Sequence, residues 1–265
     1  MKNINGKTAL ITGASSGIGF EMAKILAAKG VNLVLAARRR ENLEELKNQI
    51  GKLHPVKTLI IPIDLSLPES PKELYRQTAG PGIAVDILIN NAGYGIHRNF
   101  FDTPSEQSEA MLNLLMNSLM KITYLYGKEM VARKTGYILN VGSTGAFQPT
   151  PTYAAYAAAK SFVLNFSVAL NHELKETGVS VSVLCPGVTL TEFQRVAGHK
   201  NTSWFMKLTR MTADKVARKA IKGMFRRKPV IITGGFNRIN AYMVRLFPIP
   251  LAGSIAASAM GKPEN

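Results

Sequence analysis

Ser143, Tyr156 and Lys160 stand thirteen and then four positions apart, and that spacing outlines a proton-transfer site. Residues four apart on a helix share a face, so the stretch YAAYAAAKSF aims the Tyr156 phenol and the Lys160 ammonium into one pocket. Ser143 ends the preceding apolar run, GYILNVGS. A free phenol titrates near ~10. A cation held beside it favours the phenolate, so Tyr156 can exchange a proton with a substrate oxygen while Ser143 hydrogen-bonds that oxygen. Taken singly, a serine is most often a surface hydroxyl, a tyrosine a half-buried core residue and a lysine a solvated charge. The reading therefore needs a second, independent signal.

That signal lies at the other end of the chain. An apolar run leads directly into TGASSGIG, Thr12 to Gly19, which opens a helical pattern. Gly13, Gly17 and Gly19 let the backbone turn tightly and approach a pyrophosphate, whose charge is stabilised by the free N–H groups and dipole of the helix start. Ser15, Ser16 and Ile18 complete that cofactor-binding loop. A glycine trio alone is weak, but one placed between a first strand and a first helix fits a dinucleotide site. The second strand then ends LAARRR. Where NAD-binding folds place a carboxylate for the ribose 2′-hydroxyl, this chain has Arg38 and Arg39, which can hold a 2′-phosphate by charge-assisted hydrogen bonds. NADP(H) is expected over NAD(H). Arg40 reads as a solvated helix-start residue.

Elements that would carry these residues alternate along the chain. Apolar, β-branched runs at 8–11, 32–36, 58–61, 86–89, 137–141, 180–184 and 230–232 read as strands buried on both faces. Helical patterns fall at about 17–29, 40–51, 69–79, 105–133, 153–177 and 212–226. Such alternation predicts an α/β fold, a doubly wound parallel sheet of the Rossmann type, with the ligand at the carboxyl ends of the strands. The expected organisation is one catalytic domain over 1–235 and a C-terminal extension over 236–265. Residues 187–211 form a long irregular stretch, read as a substrate lid.

Composition narrows the class. At 265 residues and 46% hydrophobic the chain can bury one large core. The single cysteine, Cys185, excludes an intramolecular disulfide and fits a reducing compartment; it reads as a small core residue. No long apolar region precedes a cleavage site near the N-terminus, and a cytoplasmic protein is expected. No apolar run reaches the ~18 to 20 residues of a membrane-spanning helix. Residues 195–245 carry 13 Lys and Arg against one acidic residue. Such a segment attracts polyanions in general, yet no zinc-ligand spacing or aromatic stacking motif specifies nucleic acid. His54, His97, His172 and His199 do not cluster, and no metal site is expected.

With both halves in place the chain resembles the short-chain dehydrogenase/reductase family over about residues 5–233: TGASSGIG, Asp64 after the third strand, NNAG at 90–93, Asn117, Ser143, YAAAK at 156–160 and PGVTLT at 186–191. The resemblance implies that Asp64, with Leu65, contacts the adenine. Asn90 to Gly93, including Asn91 and Ala92, would lie beside the adenosine ribose, and Asn117 would anchor a water-linked proton path to Lys160. It further implies Tyr156 as general acid, Ser143 as the group polarising the carbonyl, and Lys160 as a ligand of the nicotinamide ribose. Pro186, Gly187, Val188 and Thr191 would seat the nicotinamide. One departure bears on the cofactor: many NADP(H)-preferring relatives carry a basic residue just before the second glycine of the loop, where this chain has Ser16.

The expected activity is NADPH-dependent reduction of a ketone or 3-oxoacyl carbonyl, with hydride transfer and no metal. The alternatives are an alcohol or hydroxysteroid dehydrogenase running oxidatively, or a dinucleotide-sensing protein whose basic segment binds a polyanion or membrane. Phe147, Tyr153, Phe193, Trp204, Phe205 and Met206 would wall an apolar substrate pocket. Family members usually form dimers or tetramers through the long helices, here 105–133 and 153–177. The tail reads first as a subunit interface and second as a peripheral membrane contact.

Overall fold

Side-chain alternation within each strand decides which layer it serves. The computed structural model describes residues 4–198 and 210–260. Strands β1 (Thr8–Thr12), β2 (Asn32–Ala37), β3 (Thr58–Pro62), β4 (Ile87–Asn90), β5 (Gly136–Val141) and β6 (Val179–Cys185) join one sheet, and the two-residue strands β7 (Thr189–Leu190) and β8 (Met211–Thr212) pair apart from it. With β9 (Val230–Ile232) the main sheet has seven strands in the order β3-β2-β1-β4-β5-β6-β9, every pairing parallel.

In β1, Ala9 and Ile11 enter one core and Leu10 the other; β4 divides Ile87 and Ile89 from Leu88 in the same way. The first core is closed by helices α1 (Gly17–Ala27) and α2 (Arg40–Leu53) through Met22, Leu43 and Leu46. The second is closed by α3 (Ser70–Ala79) and, after α4 (Ser105–Leu112), by α5 (Leu119–Ala132), through Leu74, Ile122 and Tyr126. Each such aliphatic side chain, fully buried, contributes roughly 1.5–3 kcal/mol. Helix α6 (Ala154–Glu173) lies against β6. β1 pairs with both β2 and β4, so the winding reverses between β1 and β4, where a ligand crevice opens in folds of this kind.

A buried polar ladder ties the centre of the sheet to its helices. Asn90 Nδ2 donates to Thr123 Oγ1 and to Asn140 Oδ1, both at 2.9 Å, and Asn140 Nδ2 donates to Ser167 Oγ at 2.9 Å. In a low-dielectric interior these hydrogen bonds fix β4, β5, α5 and α6 in one register, although the Asn90 Oδ1 itself is buried without a partner among the described residues.

Two expectations needed revision. The helix expected over 105–133 is interrupted by a π-helical stretch at Asn113–Ser118. The stretch over 187–211 contains β7, a short helix α7 (Phe193–Val196) and β8 among its described residues. Beyond it lie α8 (Ala213–Phe225), which packs on α1, and two tail helices, α9 (Gly235–Met243) and α10 (Ile249–Met260).

Candidate active site

A cleft of about 460 Å³ runs along the carboxyl ends of the central strands. One end is built by the glycine loop. Gly13 (φ +66°) and Gly17 (φ +61°) occupy the left-handed region, and a Cβ at Gly13 would come within 2.7 Å of Ala92 Cα. The loop is held there by its neighbours: Asn91 Nδ2 donates to Thr12 O and Gly13 O, each at 3.0 Å, and Thr12 Oγ1 accepts from the N–H groups of Asn91 and Ala92 at 3.0 Å. Ser16 makes no side-chain cap to α1, which carries no acidic residue in its first turn. The helix start therefore presents its N–H groups and dipole with no acid of its own first turn beside them, although the Glu192 carboxylate reaches Ser16 from across the cleft.

Gly13, Ser15, Ser16, Gly17 and Ile18 line this end of the cleft, as do Arg38, Arg39, Asp64, Leu65, Asn91, Ala92 and Gly93. Gly19 stands behind the lining, where it lets α1 approach Gly13 and Asn91. Arg38 Nη1 lies 4.0 Å from Asp64 Oδ2, whose Oδ1 accepts from Ser66 N and Oγ. Arg39 Nη2 reaches Ser16 Oγ at 2.9 Å, Ser15 Oγ at 3.3 Å and Glu192 Oε2 at 2.8 Å. The hydrogen bond from Arg39 is the leading reason that the Glu192 carboxyl is drawn down to about 2.

The other end holds the proton-transfer residues. Tyr156 and Lys160 lie on α6, and Ser143 caps the 3-10 turn Thr144–Phe147 by accepting from Gly145 N at 3.1 Å. Lys160 is 5% exposed; its Nζ donates to Val141 O at 2.7 Å and sits 5.6 Å from the centre of the Tyr156 ring. Burial draws the Lys160 ammonium down to about 8. Burial pushes the Tyr156 phenol up to about 12, with a hydrogen bond from Ser143 acting the other way. Both groups thus keep their protons at neutral pH. Pro186, Gly187, Val188 and Thr191 line the same cleft.

Asn117 does not join them. Its side chain is exposed and donates to Asn113 Oδ1 at 3.1 Å, and Asn113 in turn bonds the Ser66 carbonyl. The inward face of this helix carries Met111 and Leu115, both 1% exposed and packed against Ala159. Leu115 Cδ2 lies against Gly93 beside Lys160 Nζ. The Asn117 amide thus points away from Lys160, and what this residue could bring to a proton path is the backbone of the π-helical stretch that contains it.

Tyr153 and Phe193 line the substrate end, with ring centres 5.8 Å and 5.5 Å from that of Tyr156. Phe147 instead packs into a neighbouring core cluster, with the Arg245 guanidinium 4.9 Å from its ring centre. Trp204, Phe205 and Met206 lie outside the described residues. Glu192, Gln148, Asn237 and Asn240 line the cleft as well, and sequence patterning had not singled them out. Asn237 is buried, donates to Thr233 O at 2.9 Å and packs on Gly187, so α9 forms part of the wall.

Residues 7–202 match the family model described as short chain dehydrogenase. A 17-beta-hydroxysteroid dehydrogenase type 3 of Rattus norvegicus is 31% identical over 219 residues, 82% of this chain and 69% of the relative. A very-long-chain 3-oxoacyl-CoA reductase of Pyrenophora tritici-repentis is 36% identical over 197 residues, 72% of this chain and 57% of the relative. The chain thus spans well short of the full length of these curated relatives. Among solved structures, a short-chain dehydrogenase from Sphingobium yanoikuyae in complex with NADPH is 32% identical, with a TM-score of 0.81 over 89% of this chain and 92% of the other.

Proposed function

This chain belongs to the short-chain dehydrogenase family, and from that premise we propose that it is an NADPH-dependent reductase of an apolar ketone or 3-oxoacyl carbonyl. The cofactor fits the residues present. The glycine loop leaves room for a pyrophosphate against uncapped N–H groups, Arg38 and Arg39 flank the end of β2 for a 2′-phosphate, and Pro186 to Thr191 line the far side for the nicotinamide. When bound, that cofactor supplies the hydride.

The chain's own residues manage the oxygen. Ser143 orients the substrate carbonyl, and Tyr156 gives its proton to the oxygen as charge develops there. Lys160 spends one N–H on Val141 O; two remain for ribose hydroxyls, and its charge steadies the phenolate that forms. The observation that carries this reading is that Tyr156 shares one cleft with Ser143, with Lys160, whose Nζ lies 5.6 Å from the tyrosine ring centre, and with the glycine loop. The direction of turnover is set by the ratio of reduced to oxidised cofactor, and Tyr156 serves as proton donor in reduction and as its acceptor in oxidation. Tyr153 and Phe193 support an apolar substrate, as do the relatives that act on hydroxysteroids and very-long-chain 3-oxoacyl-CoA.

The test is NADPH oxidation against ketones, aldehydes and 3-oxoacyl thioesters, repeated with NADH. Turnover of bulky apolar ketones or thioesters with NADPH preferred supports the proposal; turnover with NADH alone defeats the cofactor assignment, and no turnover of any carbonyl defeats the reductase.

A further inference from the structure

Helix α9 is built the wrong way round for a helix facing water. Its inward side carries Asn237 and Ala241, both buried, followed by buried Val244. Its outward side carries Phe236, Ile239, Tyr242 and Met243, each between 47% and 64% exposed. Past the exposed Arg245 the apolar surface resumes into α10: from Leu246 to Met260 there is no Asp, Glu, Lys or Arg, and Leu246 and Ile249 are 75% and 72% exposed. Contiguous apolar surface of this kind marks a docking site.

Charge identifies what docks. Between Asp214 and Glu264 the sequence contains no carboxylate, so neither Arg238 nor Arg245, both exposed, has an acidic neighbour in its own segment. A second copy seated here by two-fold symmetry would bring the same arginines and no carboxylate to the contact. An anionic lipid surface supplies the complementary charge and accepts the apolar side chains below it, while arginine and tyrosine settle at headgroup level. No helix among the described residues is long and apolar enough to cross a membrane, so the contact is interfacial.

We infer that α9 and α10 form a monotopic docking surface for anionic lipid bilayers. Because Asn237 and Asn240 of α9 line the catalytic cleft, the surface that meets the bilayer also walls the substrate site. An apolar substrate dissolved in the bilayer then reaches the cleft along α9 without crossing water. This inference extends the proposed function without depending on it.

Vesicle flotation of the full chain tests it, using phosphatidylcholine alone and phosphatidylcholine with phosphatidylserine, at low and high salt. Wild type is expected to float with the anionic vesicles and to release them as salt rises. The triple variant Ile239→Ser, Leu246→Ser, Ile249→Ser is expected to lose roughly tenfold in vesicle affinity while keeping the wild-type melting temperature, since these side chains are exposed. The inference is overturned if wild type ignores both vesicles, or if the triple variant floats as well as wild type. It is overturned equally if sedimentation shows that the triple variant turns a wild-type dimer into a monomer while wild type ignores vesicles; that result would assign the face to self-association. None of these readouts involves turnover, so failure here is distinct from failure of the reductase assignment.

Discussion

The two ends of the cleft are built by different means. At the cofactor end, the glycine loop is fastened to the end of β4 by partly buried hydrogen bonds, Thr12 to Asn91 and Ala92 and Asn91 back to Gly13, and the strands beneath it by buried ones, Asn90 through Asn140 to Ser167. At the substrate end the wall comes from a two-residue strand, a four-residue helix and α9, whose outer face is apolar and exposed. The first end is suited to a cofactor of fixed shape. The second can be rebuilt for a new substrate with little cost to the sheet, which places specificity where the scaffold is least constrained.

The sharpest break in this comparison is Tyr156→Phe, which removes the proton donor and keeps the ring. It should lower kcat by about 10²–10⁴-fold while NADPH binding, followed by quenching of protein fluorescence, persists; retained turnover would mean that another group supplies the proton. Lys160→Met should also abolish most activity, yet raise stability by about 1–3 kcal/mol at pH 7. The sign follows from Lys160 lying at about 8 in the fold, below the ~10.4 of an exposed lysine. Below pH 8 the buried ammonium opposes folding, and that opposition fades as pH rises through 8 towards 10. Melting curves at pH 7 and 10 should therefore show the variant's advantage shrinking, and an advantage independent of pH would deny the buried charge.

Smaller effects separate the two ends further. Thr12→Val leaves two partly buried N–H groups without their acceptor and should cost about 1–3 kcal/mol in urea unfolding. Glu192→Gln frees Arg39 and should lower KM for NADPH about two- to fivefold while leaving KM for NADH unchanged; equal changes for both cofactors would remove Arg39 from the phosphate site. Asn117→Ala should change kcat less than about twofold and stability by less than about 0.5 kcal/mol, because its amide faces solvent. A large loss of kcat would give the amide itself a part in the proton path.

Legibility in the sequence follows the same division. The strands and the glycine loop were readable because burial on both faces demands unbroken apolar runs, and because TGASSGIG sits where strand meets helix. The outward direction of the Asn117 amide was not readable, because motif order carries no information about helical phase. The buried stripe Met111, Leu115, Leu119, Ile122 and Tyr126 was available as a corrective, since it marks the inward face and leaves Asn113 and Asn117 outside it. The π-helical turn at 113–118 adds a shift that sequence spacing does not record. Glu192 was illegible for another reason. Its partner Arg39 lies 153 positions away, and the two meet only because separate strand ends converge.

The Arg39–Glu192 pair spans the mouth of the cleft, joining the end of β2 to the arm that carries Phe193. A guanidinium committed to a carboxylate is less available to a 2′-phosphate, so on the proposed NADPH reading capture of that phosphate and release of Glu192 would be linked equilibria. By reciprocity, the factor by which a 2′-phosphate loosens the arm equals the factor by which the latched arm weakens the phosphate's hold. A cofactor without that phosphate would leave the latch closed, so discrimination between the two dinucleotides would be read in the mobility of the arm as well as in affinity.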